Sequence, residues 1–264
     1  MIGTQSGGNV QTRFSKTEAV VLNAVRFGDG HKIVNLLTPV LGKIEASAFG
    51  VRKTKSRFGS RLEPFTVAHM LLYRKSEESI YTVREVDVVD AHREIREDLY
   101  RFVVGSCMIE PVVRFVERGE KDWTLFSLLS DSLKALDDIE LGRGMYLLSM
   151  YEIKLFAALG YGPDVNTCRR CGSPIGGDEG AFFDGSNGLP LCGRCGTVSS
   201  ASLTRGALDF FEWALGHQPC EARKVKMRGE TLCSLRGAIE CLYMITFHRK
   251  PQSWSQLDEI PVRS

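Results

Sequence analysis

The first regularity in the chain is a two-residue alternation. Between residues 17 and 91, apolar runs such as Ala19–Leu22 and Ile33–Leu37 are interrupted by Gly28-Asp29-Gly30 and by Pro39 and Gly42. Lys43–Gly50 places Ile44, Ala46 and Ala48 at every second position among Lys, Glu and Ser, the mark of a strand with one buried face. Two further runs, Phe65–Arg74 and Ile80–Val89, are separated by Ser76-Glu77-Glu78. Five strands with one long interruption between the third and fourth predict a small barrel. A five-stranded OB-like barrel fits this spacing, and an SH3-like barrel would read the same way.

From Asp90 the period becomes helical. His92–Glu117 sets Ile95, Leu99, Phe102, Val103, Ile109, Val113 and Val116 at three- and four-residue steps, with Pro111 as the expected kink. Asp122 is placed to cap a helix over Trp123–Leu136, whose Phe126, Leu129, Leu133 and Leu136 make one stripe. A third helix over Arg143–Leu159 is closed by Gly160 and Pro163. Thr204 caps Arg205–Leu215, and Glu230–Phe247 is the last predicted helix. Residues 166–200, between the third helix and these two, are rich in Gly and poor in large apolar side chains. The expected architecture is therefore α+β and multidomain. It comprises a flexible N-terminal extension (1–16), an OB-like β-barrel (17–90), an α-helical bundle in two parts (91–165 and 201–264) and an insert (166–200).

The insert carries the sharpest chemical signal. Cys168-Arg169-Arg170-Cys171-Gly172 and Cys192-Gly193-Arg194-Cys195-Gly196 form a C-x2-C, twenty residues, C-x2-C pattern. Each tight turn aims two sulfurs at one point, and two turns complete a tetrahedron suited to one structural Zn2+ held by Cys168, Cys171, Cys192 and Cys195. The Gly after each second Cys is read as supplying a positive φ. Ala181–Gly185 and Gly188–Leu191 are expected as short strands of a zinc ribbon. Two disulfides are an alternative, as are redox-active pairs, but neither C-x2-C opens a helix of a thioredoxin-like unit. The H-x-E at His92-Arg93-Glu94 raises a zinc deaminase. Against it, neither pair follows a Pro, the second pair would go unused, and His92 is expected in solvent at a charged helical turn. No G-x-S-x-G, P-loop or G-x-G-x-x-G motif occurs, so the chain is not read as an enzyme.

Composition adds bounds and one warning. The chain has 264 residues, 43% hydrophobic and 25% charged, which excludes global disorder and a disulfide-dense mini-protein. No stretch approaches the roughly 18 consecutive apolar residues of a membrane span, and the polar start lacks an apolar signal region, so a cytoplasmic protein with no membrane partner is expected. The formal net charge of +2 argues against a polyanion partner only until it is divided. Residues 1–85 carry 13 Lys and Arg against 7 Asp and Glu, whereas residues 86–165 carry 9 against 15. The basic excess gathers in Arg52-Lys53-Thr54-Lys55-Ser56-Arg57-Phe58-Gly59-Ser60-Arg61, five cations without an acid. Arg52, Lys53, Lys55, Arg57 and Arg61 are candidate phosphate contacts and Phe58 a candidate stacking partner for a base. Arg26, Lys32 and Lys43 could extend the patch. A zinc-ribbon nucleic-acid adaptor in transcription or RNA handling would share these features.

The order of motifs resembles the RecO family of bacterial recombination mediators. The resemblance rests on Ile33-Val34-Asn35-Leu36-Leu37-Thr38, Gly42-Lys43-Ile44, Gly50–Arg57 and Leu62-Glu63-Pro64-Phe65. It continues through Glu152-Ile153-Lys154-Leu155, Gly160-Tyr161-Gly162-Pro163 and the two cysteine pairs, spanning residues 17–257 in order. The resemblance implies a DNA-repair protein that binds single- and double-stranded DNA and anneals complementary strands. It further implies work with RecR, contact with the C-terminal tail of the single-stranded-DNA-binding protein, indirect help to RecA loading, and association with the nucleoid. An acidic tail would need a basic spot on the helical part, for which Arg114, Arg118 and Lys121 are candidates.

Overall fold

The computed structural model describes residues 13–27, 31–49, 58–162, 164–175, 181–184, 190–196 and 201–260. They form two compact units, one from the barrel with residues 118–121, the other from residues 92–117 and the chain after 121.

In the first unit, β1 (Phe14–Phe27) pairs antiparallel with β2 (His31–Thr38), and β2 with β3 (Gly42–Phe49). β5 (Tyr81–Asp90) joins β3 in parallel at Ala46–Tyr81 and Ser47–Thr82, and β4 (Val67–Tyr73) lies between β5 and β1 to close the ring. The order β1-β2-β3-β5-β4 is a Greek-key barrel of the OB type, which resolves the choice that periodicity left open. β1 serves both neighbours: Phe14–Val20 pairs with β4, Val20–Phe27 with β2, and an irregularity between Val21 and Asn23 lets the strand turn the corner. Inward Ala19, Val21, Val34, Leu36, Ile44, Met70, Leu72 and Val83 fill the core together with small Ala46, Ala48 and Ala68. Phe58 and Leu62, from the short 3-10 turn region between β3 and β4, complete it.

Gly42 illustrates how tightly the segment 118–121 sits on the barrel. Its φ is +67°, the Gly119 amide donates to the Lys43 carbonyl at 3.0 Å, and a β-carbon on Gly42 would collide with the Glu120 backbone. Arg118 holds Glu45 through two contacts of 2.5 and 3.1 Å. Gly42→Ala combines a left-handed backbone penalty with a backbone clash, so an expected cost of about 2–3 kcal/mol should appear as a lower urea midpoint. A midpoint equal to wild type would refute the clash.

The second unit is helical: α1 (Arg93–Glu97), α2 (Leu99–Phe115), α3 (Trp123–Asp138), α4 (Gly144–Ala158), α5 (Arg205–Gly216), α6 (Gly229–Phe247) and α7 (Trp254–Glu259). The capping signals read from sequence act as expected. Asp122 accepts from the Leu125 amide at 3.0 Å, Thr204 from the Ala207 amide at 3.3 Å, and Gly160 follows α4 with φ +80°. The run over 92–117 is broken at Asp98, whose extended backbone ends α1 and whose carboxylate caps α2 by accepting from the Arg101 amide at 2.8 Å; Pro111 lies within α2. His92, expected in solvent, is 1% exposed and takes a left-handed backbone before α1.

α4 is buried on nearly every side, from Leu147 to Phe156, and so is the central helix of its unit. Two of its polar side chains are matched internally. Tyr151 donates its hydroxyl to the Met108 carbonyl at 2.8 Å. Glu152, 0% exposed, accepts from the Arg236 guanidinium on α6 and from the Trp254 indole of α7 at 3.1 Å. No sequence period pointed to this pair, nor to α7. Among the described residues, no helix is long and apolar enough to cross a membrane.

Candidate metal centre and nucleic-acid interface

The insert supplies two three-residue strands, β6 (Ala181–Phe183) and β7 (Pro190–Cys192), and the residues just past its expected end add a third, β8 (Ala201–Leu203), in the order β7-β6-β8. β8 was not foreseen; it runs directly into the Thr204 cap of α5. Each C-x2-C closes as a turn: the Gly172 amide donates to the Cys168 carbonyl at 2.8 Å, and the Cys195 and Gly196 amides to the Cys192 carbonyl at 2.9 and 3.0 Å. Arg169 N–H to the Pro190 carbonyl (3.0 Å) and Arg170 to the Cys195 carbonyl (3.0 Å) tie the turns together. The two glycines differ in role. Gly172 has φ +72°, as expected, whereas Gly196 is outside the positive-φ set and is needed because the Phe182 ring occupies the place of its β-carbon.

All four sulfurs lie within 4.8 Å of one another, and those of Cys171 and Cys192 are 3.8 Å apart. A disulfide would require about 2.05 Å. Four thiolates around Zn2+ at about 2.3 Å give a tetrahedral edge of about 3.8 Å, so the spacing fits a four-sulfur metal site. All four cysteines are free thiols. Burial opposes ionisation of Cys168, yet the amides of Cys192, Cys171 and Arg170 at its sulfur outweigh it and bring its pKa down to about 6, whereas the Cys171 thiol and then burial push Cys195 up to about 12. Amides aimed at sulfur favour the thiolate that a metal needs. Among the described residues the four thiols group by themselves; His92, which a deaminase would need, is not with them.

Of the candidate phosphate contacts, Arg52, Lys53, Lys55 and Arg57 lie outside the described residues. Arg61 is exposed on the 3-10 turn, with its guanidinium 3.3 Å from the Val86 carbonyl. Phe58 is 3% exposed in the barrel core and is not offered to a base. Of the cations expected to extend the patch, Arg26 is exposed, and Lys32 pairs with Glu63 at 2.7 Å. Lys43 is buried, and that burial, then Arg118, lower its pKa. The proposed basic spot on the helical part is also changed: Arg118 belongs to the barrel unit and holds Glu45, and Arg114 pairs with Glu110 at 2.7 Å.

Comparison with known proteins covers both units. The family model described as Recombination protein O N terminal matches residues 13–92, and that described as Recombination protein O C terminal matches residues 96–254. A protein named DNA repair protein RecO from a Thermoanaerobacter species is 33% identical over 183 residues, 69% of this chain and 71% of its own. A protein of the same name from Rubrobacter xylanophilus is 32% identical over 235 residues, covering 84% and 93%. One from a Nocardioides species is 34% identical over 219 residues, covering 80% and 88%.

Proposed function

The chain belongs to the RecO family of DNA repair proteins, and from that membership we propose that it is a non-catalytic recombination mediator. It binds single- and double-stranded DNA, anneals complementary strands, and with RecR helps RecA load where the single-stranded-DNA-binding protein holds the gap. The observation that carries this reading is the two family models lying end to end over an OB-like barrel and a helical unit. Annealing needs no active site. It needs phosphate charge neutralised so that two strands approach, with the bases left free enough to pair. The barrel of residues 17–90 supplies the DNA contact, with Arg52, Lys53, Lys55, Arg57 and Arg61 as its principal cations. The segment 166–200 is the zinc ribbon, and residues 91–165 with 201–264 carry the protein contacts, including the tail of the single-strand-binding protein. The setting is the cytoplasm, at the nucleoid.

The test is strand annealing. Wild-type protein is expected to accelerate pairing of complementary oligonucleotides, with and without the single-strand-binding protein. Replacing the five cations by Ala is expected to abolish that acceleration. If each cation neutralises one phosphate, the log K against log salt slope contributed by the loop is about −3.5 for a single strand, and the variant loses it. An absence of acceleration by wild type would overturn the mediator reading; an unchanged slope in the variant would remove the loop as the main contact.

A further inference from the structure

The helical unit holds a cavity of about 540 Å3 that the mediator reading leaves unused. One wall is the face of α5 that carries Asp209, Trp213 and, one residue past its end, His217 at four-residue steps. The other is the 3-10 turn Pro219–Lys224 with the two residues after it. Helix packing alone does not ask for these rings. α5 is buried through Ala207, Phe210, Phe211 and Ala214, whereas Trp213 and His217 stand beside that stripe and are half-buried. The His217 ring lies over the Trp213 ring at 4.5 Å and 22°. Its Nδ1 is 2.7 Å from the Trp213 carbonyl, and because a carbonyl only accepts, Nδ1 carries the proton and donates it. That bond holds the imidazole nearly parallel to the indole, so a flat two-ring surface is set before any ligand arrives.

Charge on the facing wall says what the rings could hold. Arg223-Lys224-Val225-Lys226-Met227-Arg228 sets four cations in six residues with no acid, and of these Lys224 and Lys226, both exposed, line the cavity. Two carboxylates line it as well. Asp209 is 2.9 Å from Arg205, and Glu221 accepts from the Gln218 amide at 3.1 Å and from Lys224 at 3.3 Å. A groove that only follows a phosphate backbone gains nothing from carboxylates, which repel it. An acidic peptide would meet the same repulsion and would leave the stacked rings idle. Rings, lysines and carboxylates together match a ligand of three parts: a base for the rings, a phosphate for the lysines, and sugar hydroxyls or an exocyclic amine to donate to a carboxylate. The volume lies within the roughly 300–1,000 Å3 typical of small-ligand sites. A duplex fits less well, because its bases are stacked on one another and turned inward.

We propose that this cavity is a binding site for one nucleoside phosphate, its base stacked on Trp213 and His217 and its phosphate held by Lys224 and Lys226. The same chemical unit occurs as a free nucleotide and as the 5′-phosphorylated end of a DNA strand. The site is independent of the mediator reading, since it uses no residue of the barrel.

The test titrates the full chain by calorimetry with ATP, adenosine and tripolyphosphate, each alone. ATP is expected to bind more tightly than either of its parts. Trp213→Ala is expected to weaken ATP about tenfold, the worth of one stacked base, and Trp213→Phe, which keeps a ring, to hold most of the affinity. Replacing Lys224 and Lys226 together by Gln is expected to weaken ATP about tenfold, to leave adenosine unchanged and to flatten the salt dependence. An unchanged melting temperature excludes unfolding as the cause. A second arm repeats the ATP titration with an oligonucleotide present, with and without a 5′ phosphate. Competition by the phosphorylated strand alone assigns the strand end as the source, and competition by neither assigns the free nucleotide. Equal competition by both strands marks a groove that follows a backbone and overturns the site. Tripolyphosphate binding as tightly as ATP, which would leave only an anion patch, overturns it too. So do ATP binding that survives Trp213→Ala and the lysine pair, and the absence of ATP binding by wild type.

Discussion

Cys168→Ser is expected to abolish metal binding at the four-cysteine cluster and unfold the ribbon while the barrel keeps its strands. The reasoning begins from how little else holds this segment. β6, β7 and β8 have three residues each, and their buried apolar groups reduce to a few side chains, Ala181, Phe183, Leu191 and Leu203 among them. Such a sheet is below the size that burial alone stabilises. A four-thiolate Zn2+ site contributes about 10–16 kcal/mol of binding energy, which is folding energy where the site forms only in the folded chain. Removing one sulfur opens the tetrahedron and leaves three thiolates without the geometry that stabilised them. The 3.8 Å between the Cys171 and Cys192 sulfurs equals the edge that four thiolates make around Zn2+, the ion on which this expectation is built.

The loss should spread to two helices. Ser234 of α6 donates to the Ser202 carbonyl of β8 at 2.9 Å and accepts from the Thr204 amide at 2.9 Å, and Phe183 lies 6.3 Å from Phe211 of α5. Elemental analysis should find one zinc per wild-type chain and none in the variant. Hydrogen exchange should speed up over 168–172 and 190–196, and less so at the start of α5, with β1–β5 unchanged. A variant that keeps one metal ion and wild-type protection would refute the four-cysteine assignment. Loss of zinc from His92→Ala would do the same and reopen the deaminase.

What sequence revealed and what it hid divide along a physical line. Features set by neighbours in the chain were legible: the Asp122 and Thr204 caps, Gly160 after α4, the alternation of Lys43–Gly50 and the paired C-x2-C turns. Each is a local hydrogen-bond or steric demand written within a few residues. Features set by distant partners were not. Phe58 stands in a basic run and reads as solvent-facing, yet it is buried because the turn at 58–62 packs into the barrel core. His92 opens a charged stretch and is nonetheless enclosed. Phe27 and Phe49 have the right alternation for strands, but only the register across β1, β2 and β3 places them with His31. The role of Gly196 needed the Phe182 ring, fourteen residues earlier, to be seen.

The Glu152–Arg236 pair is the clearest of the hidden features, and Arg236→Met is expected to cost the helical unit about 3–5 kcal/mol at neutral pH. Met keeps much of the volume and removes the charge, so Glu152 is left 0% exposed with neutral donors alone, the Trp254 indole and the Tyr243 hydroxyl, beside it. The substitution also removes the guanidinium from the Trp254 ring, 4.1 Å away, loosening the junction of α4, α6 and α7. α7 would not leave altogether, because Glu110 of α2 still accepts from the Gln252 and Ser253 amides at 2.8 Å each. The pH dependence separates lost charge from lost packing. Burial raises the Glu152 pKa above its ordinary 4.5, while Arg236 pulls it down. Without Arg236 the largest part of the downward pull is gone, the Trp254 and Tyr243 hydrogen bonds remaining, and the folded-state value rises further. A carboxyl whose folded pKa lies above its unfolded one holds a proton that the unfolded chain releases, so stability falls as pH climbs from the unfolded value through the folded one. The deficit of the variant should therefore be smallest near the ordinary carboxylate pKa and grow toward alkaline pH. Urea unfolding followed by tryptophan fluorescence reads this directly, since all three tryptophans lie in the helical unit. Adding Glu152→Gln to the variant should recover much of the loss and flatten its pH dependence, because a neutral amide needs no counter-charge. A deficit that is constant across pH, or no recovery on adding Glu152→Gln, would show that packing against Trp254 and not the buried charge is what Arg236 supplies.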